Sequence, residues 1–201
     1  MTKTEKAVSF RSMDQGTDAD YQFLNELEIS HMEKLPERIL LALERLNDGL
    51  KGYQVARLQH SLQAASRAED SGADIELIVA ALIPDLGDEL APQNHSQFAA
   101  AIIRPYVRAK VTWIVGMHGV VQMYYYADKL GLNKDARERY RDHIWFEACE
   151  KFCALWDQAS FDPDYPTRPL NHFAPLVHQI FTRPPFDPNI IRGESARRVN
   201  A

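Results

Sequence analysis

The chain has 201 residues, 45% of them hydrophobic, with a formal net charge of −5. That is enough for one domain with a sizeable buried core. The acidic balance and the lack of a basic stripe argue against a nucleic-acid partner, and no apolar run approaches the roughly 18 residues that a membrane span needs.

In chain order, residues 1–18 read as a flexible, polar N-terminal segment without the apolar core of a signal peptide, so the expected location is cytoplasmic. Residues 19–185 read as one helical domain and 186–201 as a C-terminal tail. Leu35, Ile39, Leu40, Leu43 and Leu46 repeat at helical spacing, and Val55, Leu58, Leu62 and Ala65 form a second such face. Asp74 is a helix cap before Ile75, Ile78, Val79 and Leu82. Phe98, Ala101 and Ile102 follow His95, and Val111, Ile114 and Val115 lead into His118. A long helix is expected from about 135 to 160, carrying Phe146, Cys149, Phe152, Cys153 and Trp156. Beyond it, FDPDYPTRPL and FTRPPFDP read as an irregular, proline-rich arm with one short helix around 171–182. No stretch alternates with period two, so the fold class is all-α. Cys149 and Cys153 lack a second pair to complete a zinc site and read as buried, reduced thiols.

Several polar residues do not suit a plain bundle. His60 lies between Leu58 and Leu62, Asp85 ends the most apolar helix, His95 opens the next, His118 closes the one after, and Asp157 adjoins Trp156. Imidazole nitrogen with carboxylate oxygen is the ligand set that suits iron, manganese and similar ions. Gln63, one turn after His60, and Gln158, beside Asp157, are candidate donors to such ligands. Gln122 falls one turn beyond His118, followed by Tyr124, Tyr125 and Tyr126. Successive helical residues point about 100° apart, so three tyrosines cannot line one pocket. Tyr124 is kept as a candidate substrate contact, and the others as core or as the interface of a homo-oligomer.

The segments RLQHSLQAA (57–65), ALIPDLGD (81–88), NHSQFAAAI (94–102), WIVGMHG (113–119) and WDQASFDPDY (156–165) together resemble the HD-domain superfamily of metalloproteins. QHSLQ and DLGD look especially like its small diiron oxygenases, while most other members are phosphohydrolases. The resemblance implies an HD-type helical bundle with His60, Asp85, His95, His118 and Asp157 as metal ligands. Asp85 would be the bridging carboxylate of a two-metal site. It also implies a histidine where this chain has Pro84.

Proline supplies no ligand, and it disfavours helical geometry at Ile83. Three outcomes stay open: two metals with water in place of the imidazole, one metal at His95 and His118, or none, with the fold retained as a binding module. An oxygenase would use a non-haem iron or diiron centre on a small hydroxylated or amine substrate. A phosphohydrolase would use a metal-bound water, with manganese or another divalent ion also suitable. Gln122, standing where phosphonate-cleaving relatives carry a cation, favours the oxygenase branch. Arg57 and Arg104 remain candidates for an anionic group, and His143 and His172 for substitute ligands, although surface roles suit all four.

Overall fold

The computed structural model describes residues 7–192, and helices account for all the regular structure among them. Residues 1–6 of the expected N-terminal segment and 193–201 of the expected tail lie outside the described residues. The chain divides into two compact units, one ending at Leu35 and one beginning at Pro36.

The first unit centres on α1 (Asp18–Glu33). Thr17 and Asp20 form a reciprocal capping box there: Thr17 Oγ1 accepts from the Asp20 amide (3.3 Å), and the Thr17 amide donates to Asp20 Oδ2 (3.0 Å). Two otherwise orphaned amide groups are satisfied in this way. Tyr21 donates to the Met13 carbonyl, and its ring packs against Phe10. The sequence pattern does not announce α1, because it has no apolar stripe and buries none of its residues.

The second unit holds α2 (Leu35–Arg45), α3 (Arg57–Asp70), α4 (Ile75–Leu82), α5 (His95–Ile103), α6 (Ala109–Gln122), α7 (Phe146–Phe152), α8 (Leu170–Phe181) and α9 (Pro188–Ile191). α3 packs on α4, α6 packs on α5 and α7, and α4 packs on α8. Alanines at 64, 65 and 68 of α3, and at 80 and 81 of α4, are buried. Small side chains on both faces allow a short interaxial distance. Phe152, Phe173, Leu43, Leu82 and Ile114 fill the remaining interior. Each contributes about 1.5–3 kcal/mol by leaving water.

Local chemistry sets the helix ends nearest the polar cluster. Asp74 Oδ1 accepts from the Glu76 and Leu77 amides at 3.1 Å, opening α4. Pro84 closes it: α4 ends at Leu82, and Ile83 sits at φ −109°, ψ 1°, away from helical geometry. A series of turns follows, with Asp88 N donating to Asp85 O (2.9 Å) and Asn94 N to Ala91 O (2.8 Å), and delivers the chain to α5.

Two expectations need correction. The buried stripe of α5 is Ala99, Ala100 and Ile103, not Phe98, Ala101 and Ile102. It follows the face of His95, which points inward, so positions four and eight residues later are buried with it. The long helix expected over 135–160 is also broken. Lys134–Tyr140 is a 3-10 segment, a turn follows, and α7 begins only at Phe146. Two tertiary contacts hold this shape. The Arg137 guanidinium stacks on Tyr124 at 3.6 Å, and the His143 ring lies flat on Trp113 at 4.0 Å. α7 then widens into a π segment, Cys153–Asp157, in which the Gln158 amide donates five residues back to the Cys153 carbonyl.

Candidate metal centre

Five polar side chains from five parts of the second unit form one cluster, with Asp85 facing three histidines. α3 supplies His60, the turn after Pro84 supplies Asp85, the first residue of α5 is His95, α6 supplies His118, and the end of the π segment supplies Asp157. His60, Asp85, His118 and Asp157 are buried, and His95 is partly open.

The three imidazoles share one orientation. His60 Nδ1 is 2.9 Å from Ser160 O, His95 Nδ1 is 3.2 Å from Pro92 O, and His118 Nδ1 is 2.7 Å from Val115 O. A carbonyl oxygen only accepts, so each Nδ1 carries the proton, and in the neutral ring the lone pair lies on Nε2. All three Nε2 atoms face Asp85. His60 Nε2 is 3.4 Å from Oδ2, while His95 and His118 Nε2 are 3.8 and 3.9 Å from Oδ1. His60 Nε2 also meets Asp157 Oδ1 at 3.2 Å. The two oxygens of Asp85 thus face different histidines.

Among the described residues, Asp85, His95 and His118 form the group whose ligand atoms all lie within 4.8 Å of one another. Two nitrogens and a carboxylate oxygen are donors that could hold a metal ion. Asp85 Oδ2 and Asp157 Oδ2 are buried and accept no hydrogen bond, a costly state for an anion that positive charge in the cluster relieves. The residues present therefore fit a metal ion.

Burial works against the charged form of His60, but the hydrogen bond to Asp157 and the charges of Asp85 and Asp157 win, and its pKa is raised. Burial likewise opposes the charge of Asp85, but His60, Arg57, His118 and His95 bring its pKa below the ordinary value. Asp88 is raised, first by burial and then by the neighbouring charge of Asp85.

The backbone around His95 is tightly shaped. A Cβ at Gly87 would come within 2.7 Å of His95 Cα, and one at Gly119 within 2.6 Å of Ser96 Oγ and 3.6 Å of His95 Nε2. At Gly87 the neighbour is backbone and excludes a larger residue, whereas at Gly119 the Ser96 hydroxyl would have to turn aside. Asp157 is the last residue of the π segment, and widened turns of this kind occur frequently at functional sites.

A cavity of about 460 Å³ opens onto Asp85 and His95. Gln122 and Gln158 line it, together with Tyr53, Arg57, Tyr125, Tyr126, Leu130 and Phe161. Gln158 Nε2 also donates to Ala154 O at 3.0 Å. Two other candidates have different duties. Gln63 is fully buried, and its amide pairs with the backbone of Asp162, donating to O (2.6 Å) and accepting from N (3.3 Å). It braces the loop whose Ser160 carbonyl holds His60. Tyr124 turns away from the cavity to stack on Arg137, because α6 tightens into a 3-10 turn at Met123–Tyr125.

His143 and His172 do not join the cluster. One is stacked on Trp113, and the other has Nε2 2.9 Å from Glu69 Oε2. Cys149 and Cys153 are buried, free thiols directed at the carbonyls of Ile114 and His118. Burial, followed by the neighbouring thiol, pushes Cys153 well above its ordinary pKa, so it stays protonated.

The structure adds residues that the sequence reading did not single out. Asp88 lies between Arg57 Nε (3.0 Å) and His95 Nδ1 (3.7 Å). Phe161 stacks on the His60 ring at 4.4 Å. Asp88 stands one turn after Asp85 in DLGD, a spacing that suits a second carboxylate on the same side. Nothing local marks Phe161. Among the described residues no helix is long and apolar enough to cross a membrane. No protein-family model matches the chain, and no curated protein matches it either.

Proposed function

We propose that this chain is a metal-dependent enzyme of the HD-domain kind, nearest in chemistry to its oxygenase branch, with non-haem iron at Asp85, His95 and His118. Its substrate is a small molecule bearing a hydroxyl or amine. One observation carries the reading: three imidazoles, each with Nδ1 on a backbone carbonyl, turn Nε2 toward the same carboxylate. Carbonyl partners of this kind orient metal-ligating histidines. An ordinary structural histidine has no need of two neighbours in the same pose.

Bound iron supplies redox activation of dioxygen, and the chain supplies the rest. The cavity of about 460 Å³ suits a small substrate. The side-chain amides of Gln122 and Gln158 and the hydroxyls of Tyr125 and Tyr126 offer donors and acceptors for a neutral polar group. Tyr53, Phe161 and Leu130 supply the apolar part of the lining. The phosphohydrolase reading is weaker, because Arg57, the cation in this lining, is already engaged by Asp88 and Asp85.

Metal analysis of protein purified without chelator tests the proposal. Iron is expected in stoichiometric amount in the native chain and absent from Asp85→Asn and His118→Ala. A native chain that takes up no metal, even after anaerobic reconstitution with Fe(II), would turn the reading to a binding protein.

A further inference from the structure

The two sides of Asp85 are not alike. Oδ1 faces the Nε2 atoms of His95 and His118, at 3.8 and 3.9 Å. Oδ2 faces His60 Nε2 at 3.4 Å and Arg57 Nη1 at 3.7 Å. Arg57 is not a passing surface charge. Its side chain is 17% exposed, its Nε meets Asp88 Oδ2 at 3.0 Å, and its guanidinium lies over the Tyr53 ring at 5.0 Å. Position 84, at the start of the same turn, offers a proline ring and no nitrogen ligand.

Resting on the function proposed above, we infer that this centre holds a single metal ion, on the Oδ1 side of Asp85, and that Arg57 stands as a fixed cation where a second ion would sit. Arginine stays charged at any physiological pH, so this occupant does not come and go. A divalent ion on Oδ2 would share one carboxylate oxygen with a guanidinium, and the two like charges repel.

Charge balance agrees. Asp85, Asp88 and Asp157 bring three negative charges to the cluster and Arg57 one positive charge, so one divalent ion neutralises what remains. A second would leave a buried excess of positive charge. His60 and Asp157 then act as positioning residues. Their 3.2 Å contact, with His60 Nε2 also reaching Asp85 Oδ2, sets the angle of Asp85 toward the ion.

Anaerobic titration with Fe(II), read as binding stoichiometry by calorimetry and by metal analysis of the desalted protein, tests this inference. One equivalent is expected in the native chain. Pro84→His alone should still take one, and Pro84→His combined with Arg57→Met should take two. His60→Gln should keep one equivalent with roughly 10- to 100-fold weaker affinity, the usual cost of losing a residue that orients a ligand. His118→Ala should lose it. Two equivalents in the native chain or in Pro84→His overturn the inference and leave the proposed function standing. A His118→Ala chain that keeps its ion while His60→Gln loses it overturns the inference together with the iron site proposed above. A double variant with native-like circular dichroism that still takes one equivalent overturns Arg57 as the barrier. No binding in the native chain overturns the proposed function and the inference with it.

Discussion

Two buried ionic clusters sit at opposite ends of α4, and they are finished differently. At its first turn, Glu76 is 6% exposed, yet both of its oxygens are taken. Oε2 accepts from Arg108 Nε (2.8 Å) and the Arg108 amide (3.0 Å), and Oε1 accepts from Arg183 Nη1 (2.6 Å). Beyond its last turn, Asp85 is as deeply buried, but Oδ2 accepts no hydrogen bond and the nitrogens around it stand 3.4 to 3.9 Å away. The first cluster closes on itself and fastens α4 to the segment before α6 and to the end of α8. The second is left open at the distances of side chains arranged around something else. A structural ion pair satisfies its own atoms, whereas a binding site leaves them unsatisfied.

Breaking the closed cluster should have the largest effect. Glu76→Ala removes the anion between two guanidinium groups, and the expected loss is about 3–5 kcal/mol. Urea unfolding of the metal-free protein measures it. A loss under about 1 kcal/mol would erase the distinction drawn here. Iron stoichiometry in this variant should stay native, because none of the cluster's ligand candidates touches Glu76.

The open cluster should respond to its ligand instead. Fe(II) at a hundredfold excess over its dissociation constant should raise the unfolding free energy by about 2.7 kcal/mol. Asp85→Asn should abolish that increment, while Glu76→Ala should retain it. Anaerobic unfolding curves with and without Fe(II) give the comparison. An undiminished increment in Asp85→Asn would put the ion elsewhere.

The smallest effect expected is at the brace behind His60. Gln63→Leu leaves the backbone N–H and C=O of Asp162 without their amide partner, and should cost about 1–3 kcal/mol in urea unfolding. A neutral result would mean that water replaces the amide and that the loop does not depend on Gln63.

The residues of the cluster were open to reading because each breaks a local pattern. A histidine inside an apolar stripe, or an aspartate just after the most apolar helix, has no bland role that composition alone supplies. The helices bearing them were equally legible wherever one face was apolar, as in α3, α4 and α6. What escaped depends on partners far away in sequence. α1 shows no stripe because it buries nothing. The break between Tyr140 and Phe146 rests on rings supplied by Trp113 and Tyr124. Tyr124, the tyrosine kept as a substrate contact, leaves the cavity to Tyr125 and Tyr126 because its ring pairs with the guanidinium of Arg137. For Arg57 the sequence leaves an anion-binding and a surface role equally open, and the contact with Asp88 is what decides against the surface.

The π segment before Asp157 acts as a phase shifter. Phe146, Cys149, Phe152 and Cys153 keep the rhythm of an α-helix facing the interior, and the extra residue in the next turn resets that rhythm before Asp157. The interior can therefore vary its packing on one side of the reset without rotating the carboxylate on the other. The aim of the carboxylate therefore depends on the turn staying wide. Closing it to an α turn without removing a residue would swing the carboxylate by about 100°, leaving every side chain of the cluster in the sequence and one of them aimed at the wrong place.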